Sequence, residues 1–281
     1  MNTTNYARSY WERLRRTSPH AFALHFLELF YGVLQADSPL DWVQAMLIAR
    51  RAVTRGRRDI ANAPPSAGSW MEAVAQPVWR LGKNPGIQIE VITPFAMADL
   101  ARGLIEHPDY APIFPKVKLA PTKDPSVLQT SAGGRIVYRT LEQRRVDIQP
   151  QLLVLDTPQT QADVATQAGR DASFDLVEAA CAHVARTGSI SMVTHRLHPD
   201  DATARLQRQD RYVSWRFPVI AQENVIFQLG ERGVKFFTGH LLDPVAWPPT
   251  RIAELQDLLS PAIFAAHYLQ APLDTSDDDA A

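Results

Sequence analysis

Between Arg58 and Pro199, short apolar runs alternate with longer amphipathic stretches, and this alternation fixes the reading of the chain. Arg58 to Ala63 reads as a strand entering a turn, and Met71 to Leu81 as the helix that leaves it. Ile87 to Thr93 alternates with a period of two, as a strand does, and Phe95 to His107 is helical. Gln151 to Leu155 is an apolar run that ends in Asp156, and Ser189 to Thr194 is a further buried strand. Strands alternating with helices predict an α/β fold, a parallel sheet with helices on both faces. Before this region lie three helical segments, Tyr6 to Arg16, Pro19 to Leu34 and Leu40 to Arg55. The second places Phe22, Phe26, Leu29, Phe30 and Val33 on one face, a core-packing stripe. After it, Tyr212 to Phe237 reads as short strands with Gly230 and Gly233 as turn residues, then as two helices, Pro249 to Leu259 and Pro261 to Leu269. The tail, Asp274 to Asp279, is expected to be disordered. The predicted organisation is a helical segment 1–57, an α/β domain 58–272 and an acidic tail 273–281.

Composition narrows the picture. With 281 residues, 46% apolar content and 6 Trp, the chain has material for one large core or two modest ones. A net charge of -1 gives no bulk argument for nucleic-acid binding. Basic clusters at Arg8 to Arg16 and Arg50 to Arg58 read first as solvated helix faces, with a DNA-tracking role as the alternative. The single cysteine, Cys181, excludes an intramolecular disulfide and fits a reducing compartment; Val177 and Val184 beside it suggest a helix core position. No 18-residue apolar run and no signal peptide are evident, so neither a membrane span nor export is expected.

The candidate chemistry starts at Pro64-Pro65-Ser66-Ala67-Gly68-Ser69-Trp70, between the first strand and its helix. That is the place of a phosphate-binding loop, whose backbone N–H groups cradle phosphate while a Gly-Lys-Ser/Thr ending supplies a cation and a Mg²⁺-holding hydroxyl. Ser69 and Trp70 occupy those last two places. Asp156, closing an apolar strand, stands where nucleotide-hydrolysing sheets keep a magnesium-linked carboxylate. His195, His198, Asp200 and Asp201 admit a metal-ligand reading, but Asp200 after Pro199 is as easily a helix cap. His107, His183 and His240 are scattered.

In this order the segments resemble the ATPase domain of phage terminase large subunits, the motors that drive DNA into procapsids. That family has a Pro-Pro-Arg-His-Gly-Lys-Ser loop, a helix and a Gly-x-Asn-Pro turn, and Gly82-Lys83-Asn84-Pro85 is similar to the turn. Tyr110-Ala111-Pro112-Ile113-Phe114-Pro115 resembles its Tyr-x-x-x-Phe-Pro element. Leu153-Val154-Leu155-Asp156-Thr157-Pro158 resembles its Walker B strand, which closes Asp-Asp-Pro. His195-Arg196-Leu197-His198-Pro199-Asp200-Asp201 and the residues to Leu206 resemble its Thr-Arg-Trp-His-Glu-Asp-Asp segment, used for coupling. Phe217-Pro218-Val219-Ile220-Ala221-Gln222-Glu223, Gly239 to Pro244 and Phe264 to Pro272 complete the likeness.

The resemblance implies a RecA-like P-loop ATPase fold, with Pro65, Ser66, Ala67, Gly68, Ser69 and Trp70 as a degenerate nucleotide loop, Asp156 as the surviving acid, and Thr157 in place of the second acid. ATP and Mg²⁺ are implied cofactors by resemblance alone, and no metal ligand set is assigned. Partners implied are other terminase subunits, a portal or double-stranded DNA, in the cytoplasm of a bacterial host and with no membrane. With the loop Lys and the water-orienting acid replaced, the expectation is a pseudo-ATPase acting in binding or assembly. The alternatives are a working motor with an atypical loop, helped by Lys83 or a partner subunit, and an inactive relic. The family's nuclease domain would follow Pro272, so cleavage by this polypeptide is not expected. An indole at Trp70 is expected to pack against the sheet edge or the Asp156 strand and close the site.

Overall fold

A computed structural model describes residue 16, residues 56–65, residue 67, and residues 71–229, 232–244 and 246–273. The three N-terminal helical segments, the acidic tail and the loop residues Ser66, Gly68, Ser69 and Trp70 therefore lie outside the described residues, apart from Arg16. Arg16 is helical, and its guanidinium donates to the carbonyls of Ile113 (2.6 Å) and Pro112 (3.1 Å).

In chain order the strands are β1 (Arg58–Asn62), β2 (Gln88–Ile92), β3 (Leu119–Ala120), β4 (Val127–Thr130), β5 (Arg135–Arg139), β6 (Leu152–Asp156), β7 (Ser189–Thr194) and β8 (Val213–Arg216). They form an eight-stranded sheet in the order β3-β4-β5-β2-β6-β7-β1-β8. From β5 to β8 every neighbour is parallel, and β4 and β3 extend the β5 edge antiparallel. A separate antiparallel hairpin, β9 (Val225–Leu229) with β10 (Arg232–Phe236), follows β8.

The helices are α1 (Gln76–Lys83), α2 (Ala98–Glu106), α3 (Tyr110–Ile113), α4 (Gln161–Val164), α5 (Gln167–Ala182), α6 (Ala202–Gln207), α7 (Pro249–Leu258) and α8 (Pro261–His267). Successive strand residues point to opposite faces, and both faces of this sheet are covered. Ile89, Val91, Leu152 and Val154 pack under α1, α2 and α3 with Val78, Leu81, Leu104 and Ile113. Ile92, Leu153, Leu155, Ile190 and Met192 pack under α5 and α6 with Val177, Cys181 and Leu206. Cys181 occupies the helix core position expected of it.

Among the described residues, the strands and helices read from periodicity between β1 and α8 are present, with instructive shifts. The stretch after the loop opens as a five-residue π-helical segment, Met71–Ala75, before α1, and all five residues are buried. Tyr138 Oη donates to the Ala73 carbonyl at 2.8 Å, and Tyr110 Oη to that of Val78 at 3.0 Å, tying the segment and α1 to the second helix layer. The helix expected from Phe95 starts at Ala98, because Thr93 Oγ1 accepts the Phe95 N–H (3.2 Å) and the Phe95 carbonyl accepts the Met97 N–H (2.9 Å). That local turn competes with helix initiation. The β3–β4–β5 extension is not legible in the sequence, since its strands are two to five residues long and flanked by charged or turn residues.

Candidate functional site

The chain leaves β1 and returns only at β2, so β6 and β7 lie between them in the sheet. The carboxyl ends of β1, β7, β6 and β2 thus form one rim, where open α/β sheets bind ligands. Ala63 extends the β1–β7 pairing with its N–H to the Thr194 carbonyl (2.9 Å), and Pro64 then turns the chain. The Ala67 N–H is already taken by the Pro64 carbonyl at 3.0 Å. Pro65 is half-buried, and Ala67 packs with Ala61, Ala63, Val193, Phe217 and Leu242.

Asp156 ends β6 with no solvent exposure. Thr93, one residue past β2, donates its hydroxyl to Asp156 Oδ2 at 2.9 Å, and the Thr157 hydroxyl lies 3.4 Å from Oδ1. Thr157 itself sits in the left-handed region, φ 49°, with its N–H on the Val193 carbonyl at 2.8 Å. A β-branched residue there is strained by about 1–3 kcal/mol, a cost met where the surrounding structure fixes a turn. Sequence reasoning misses Thr93, although a hydroxyl residue just past an apolar strand and before Pro94 is a readable rim position. Beside it opens a cavity of about 330 Å³, lined in part by Thr93, Phe95, Met97, Tyr138, Arg139 and Gln143.

Sequence reasoning also misses two buried carboxylates behind the rim. Glu72, in the π-helical segment, accepts from Ser191 Oγ of β7 at 2.8 Å. Glu90, in the middle of β2, is fully buried between Arg144 (3.4 Å) and Arg139 (3.8 Å). Burial pushes its carboxyl above the ordinary value, against the pull of the two guanidinium groups. The alternation of Gln88-Ile89-Glu90-Val91 would place Glu90 in solvent on a one-sided sheet, but here both faces are covered.

The segment from His195 to Asp201 is a hydrogen-bonded knot. Asp201 Oδ2 accepts from Arg196 Nε (3.0 Å), the Leu197 N–H (3.0 Å) and the His198 N–H (3.3 Å), while Oδ1 accepts the Ala204 N–H (2.7 Å). Asp201, not Asp200, is therefore the cap of α6, because its side chain reaches the third N–H of the helix. The Asp200 N–H goes to His198 Nδ1 (3.0 Å), and its carboxylate pairs with Arg205 (2.6 Å) and Arg208. Partial burial raises the Asp200 pKa, but those arginines carry it below the usual range. These carboxylates are engaged by guanidinium and N–H donors, and among the described residues no three His, Cys, Asp or Glu side chains converge as a metal set. His195 instead faces His267 of α8, ring centres 4.6 Å apart, and the Arg196 N–H bonds Gln270 Oε1 at 3.0 Å. The end of β7 is thereby joined to the C-terminal helices. Lys83 closes α1 just before β2, about 20 Å of helix from the loop by the rise per residue.

Sheet order, rim and loop position together define a RecA-like, P-loop ATPase-type fold. Among solved structures it is similar to the ATPase domain of the large terminase of Thermus phage P74-26, with 12% identity and a TM-score of 0.54 over 83% of this chain and 97% of that one. Weaker likenesses are to the large terminase of bacteriophage HK97 (12% identity, TM-score 0.41, 64% of this chain) and to that of another thermophilic bacteriophage, in complex with ADP (8%, 0.44, 81%). The chain spans 38% and 52% of those two proteins. No protein-family model and no curated protein matches it. The P74-26 likeness shows the fold; at this identity it leaves the chemistry to the residues present. No helix among the described residues is long and apolar enough to cross a membrane.

Proposed function

We propose that this chain is a terminase-like, packaging-related protein that has lost most or all ATP hydrolysis and acts as a binding or assembly component beside an active motor, a portal or double-stranded DNA. The observation that carries the reading is the surrounding of Asp156. Its buried carboxylate is met by hydroxyls from Thr93 and Thr157, and the residue beside it, where the family's second acid falls, is a strained threonine. Phosphoryl transfer depends on charge stabilisation and on a positioned water, and both a cation at position 69 and an acid at position 157 are replaced by hydroxyl residues.

The residues present do not fit a magnesium nucleotide held in the usual way. The loop offers Ser69 and Trp70 in place of a cation and a metal-binding hydroxyl. The Ala67 N–H is occupied by Pro64, and the rim carboxylate of Asp156 is buried and hydrogen-bonded. The chain's own hydroxyls, from Thr93 and Thr157, hold the rim around Asp156. The test is the triple variant Ser69→Lys, Trp70→Ser, Thr157→Glu, titrated with Mg-ATP by calorimetry. The reading expects binding to appear with little turnover, because a loop arginine is also absent at Ser66. A variant that binds no more nucleotide than the parent chain refutes the assignment of the loop.

A further inference from the structure

The end of β7 and the end of α8 meet at two half-buried histidines, His195 and His267, whose ring centres lie 4.6 Å apart with their planes tilted by 54°. His267 Nε2 is buried without a hydrogen-bond partner. A buried polar atom left unpaired calls for something that completes it, an ordered water or an ion. Burial holds both rings in the neutral form, the form in which imidazole ligates a metal. The spacing favours an ion. Two imidazoles bound side by side on one ion, each nitrogen about 2.0–2.1 Å from it, have ring centres roughly 4.5–5.2 Å apart. The tilt rules out face-to-face stacking and leaves the ring edges free to converge. The backbone on both sides of the pair is fixed. Gln270, buried beside them, accepts the Arg196 N–H at 3.0 Å and donates to the His267 carbonyl, while the Val219 N–H bonds the Tyr268 carbonyl at 2.8 Å. An ion would therefore meet rings already in place, with little ordering left to do.

We propose that His195 and His267 together bind one divalent cation of the zinc, nickel or copper class, with water in its remaining positions, and that the ion ties α8 to the end of β7. The donor set decides the class. Asp201, the carboxylate whose charge reaches His195, is already paired with Arg196 at 3.0 Å and accepts the N–H groups of Leu197, His198 and Ala204. That leaves two imidazole nitrogens, which suit zinc, nickel and copper, whereas Mg²⁺ and Ca²⁺ require oxygen ligands. Two protein ligands are fewer than the three or four of a resident zinc centre, so the ion is exchangeable and its hold modest. The inference goes beyond the proposed function and is independent of nucleotide.

The probe is Zn²⁺ alone, titrated by calorimetry into the untagged full chain after chelator treatment, a state in which the two rings are free of metal and in contact. One zinc per chain should bind, saturating below millimolar concentration, and Mg²⁺ at the same concentrations should give no binding. His195→Gln and His267→Gln should each weaken zinc binding at least tenfold, while His240→Gln, an exposed histidine elsewhere, leaves it unchanged. Zinc should also raise the melting temperature of wild type and leave that of the first two variants where it is. A readout on the unmodified chain guards against a variant that fails to fold: nitrogen NMR of the imidazole rings should show the His195 and His267 signals shifting together with zinc. No binding at millimolar zinc, binding retained in either His195→Gln or His267→Gln, or zinc-dependent ring shifts confined to other histidines overturns the proposal.

Discussion

His195 gives the sharpest quantitative consequence of this packing. Burial, then the neighbouring His267, push its pKa from 6.5 down to about 4, with Asp201 pulling the other way. In the unfolded chain the imidazole takes a proton near its ordinary value; in the folded chain it stays neutral until about pH 4. Between those values the unfolded state binds more protons, so stability falls as pH falls, by at most about 1.4 kcal/mol per pH unit and about 3 kcal/mol over the window. The carboxylates whose pKa values are lowered, Asp124, Asp147, Asp171 and Asp200, lose their contribution at and below the ordinary carboxyl range, beneath this window. Glu90, raised mainly by burial, works in the opposite sense, because its contribution is present at low pH and lost as pH rises through its folded value. It is common to wild type and variant and cancels in their difference. Urea unfolding of wild type and His195→Gln at pH 7, 6, 5 and 4.5 should give curves that diverge: wild type loses about 2 kcal/mol more than the variant by pH 4.5. Parallel curves across that range would refute a buried neutral His195 packed on His267.

Two further variants read the site directly. Thr93→Val removes the hydroxyl bonded to Asp156 at constant shape and should cost about 1–3 kcal/mol in chemical denaturation, the range for leaving a buried acceptor without its donor; a loss below about 0.5 kcal/mol would show that Asp156 does not depend on it. Asp201→Ala removes the α6 cap and the acceptor of Arg196, Leu197 and His198 together, with an expected loss of about 2–4 kcal/mol by the same assay, whereas Asp200→Ala, whose partners are more exposed arginines, should cost about 1 kcal/mol or less.

Much of the α/β frame is legible because its central strands are buried on both faces and read as short runs of apolar and small hydroxyl residues. Leu152 to Asp156 and Ser189 to Thr194 carry their position in the sequence, and Asp156 follows directly from the end of such a run. What escapes is decided by tertiary contact. Glu90 reads as a solvent-facing polar residue until the Arg139 and Arg144 side chains close over it, and Glu72 is indistinguishable from an ordinary first-turn acid until Ser191 meets it. The cap of α6 falls on Asp201 instead of Asp200 because Arg196, Leu197 and His198 converge on that carboxylate, a convergence that no spacing rule encodes. Thr157 carries no mark of its left-handed backbone, which follows from its N–H being held by Val193 on the neighbouring strand.

Steady-state hydrolysis of Mg-ATP by the purified chain, measured beside Asp156→Ala, tests the central claim most directly. The account predicts turnover near background and indistinguishable between the two proteins. Turnover at rates typical of translocating motors, abolished by Asp156→Ala, would contradict it and make this chain a working ATPase with an atypical phosphate loop.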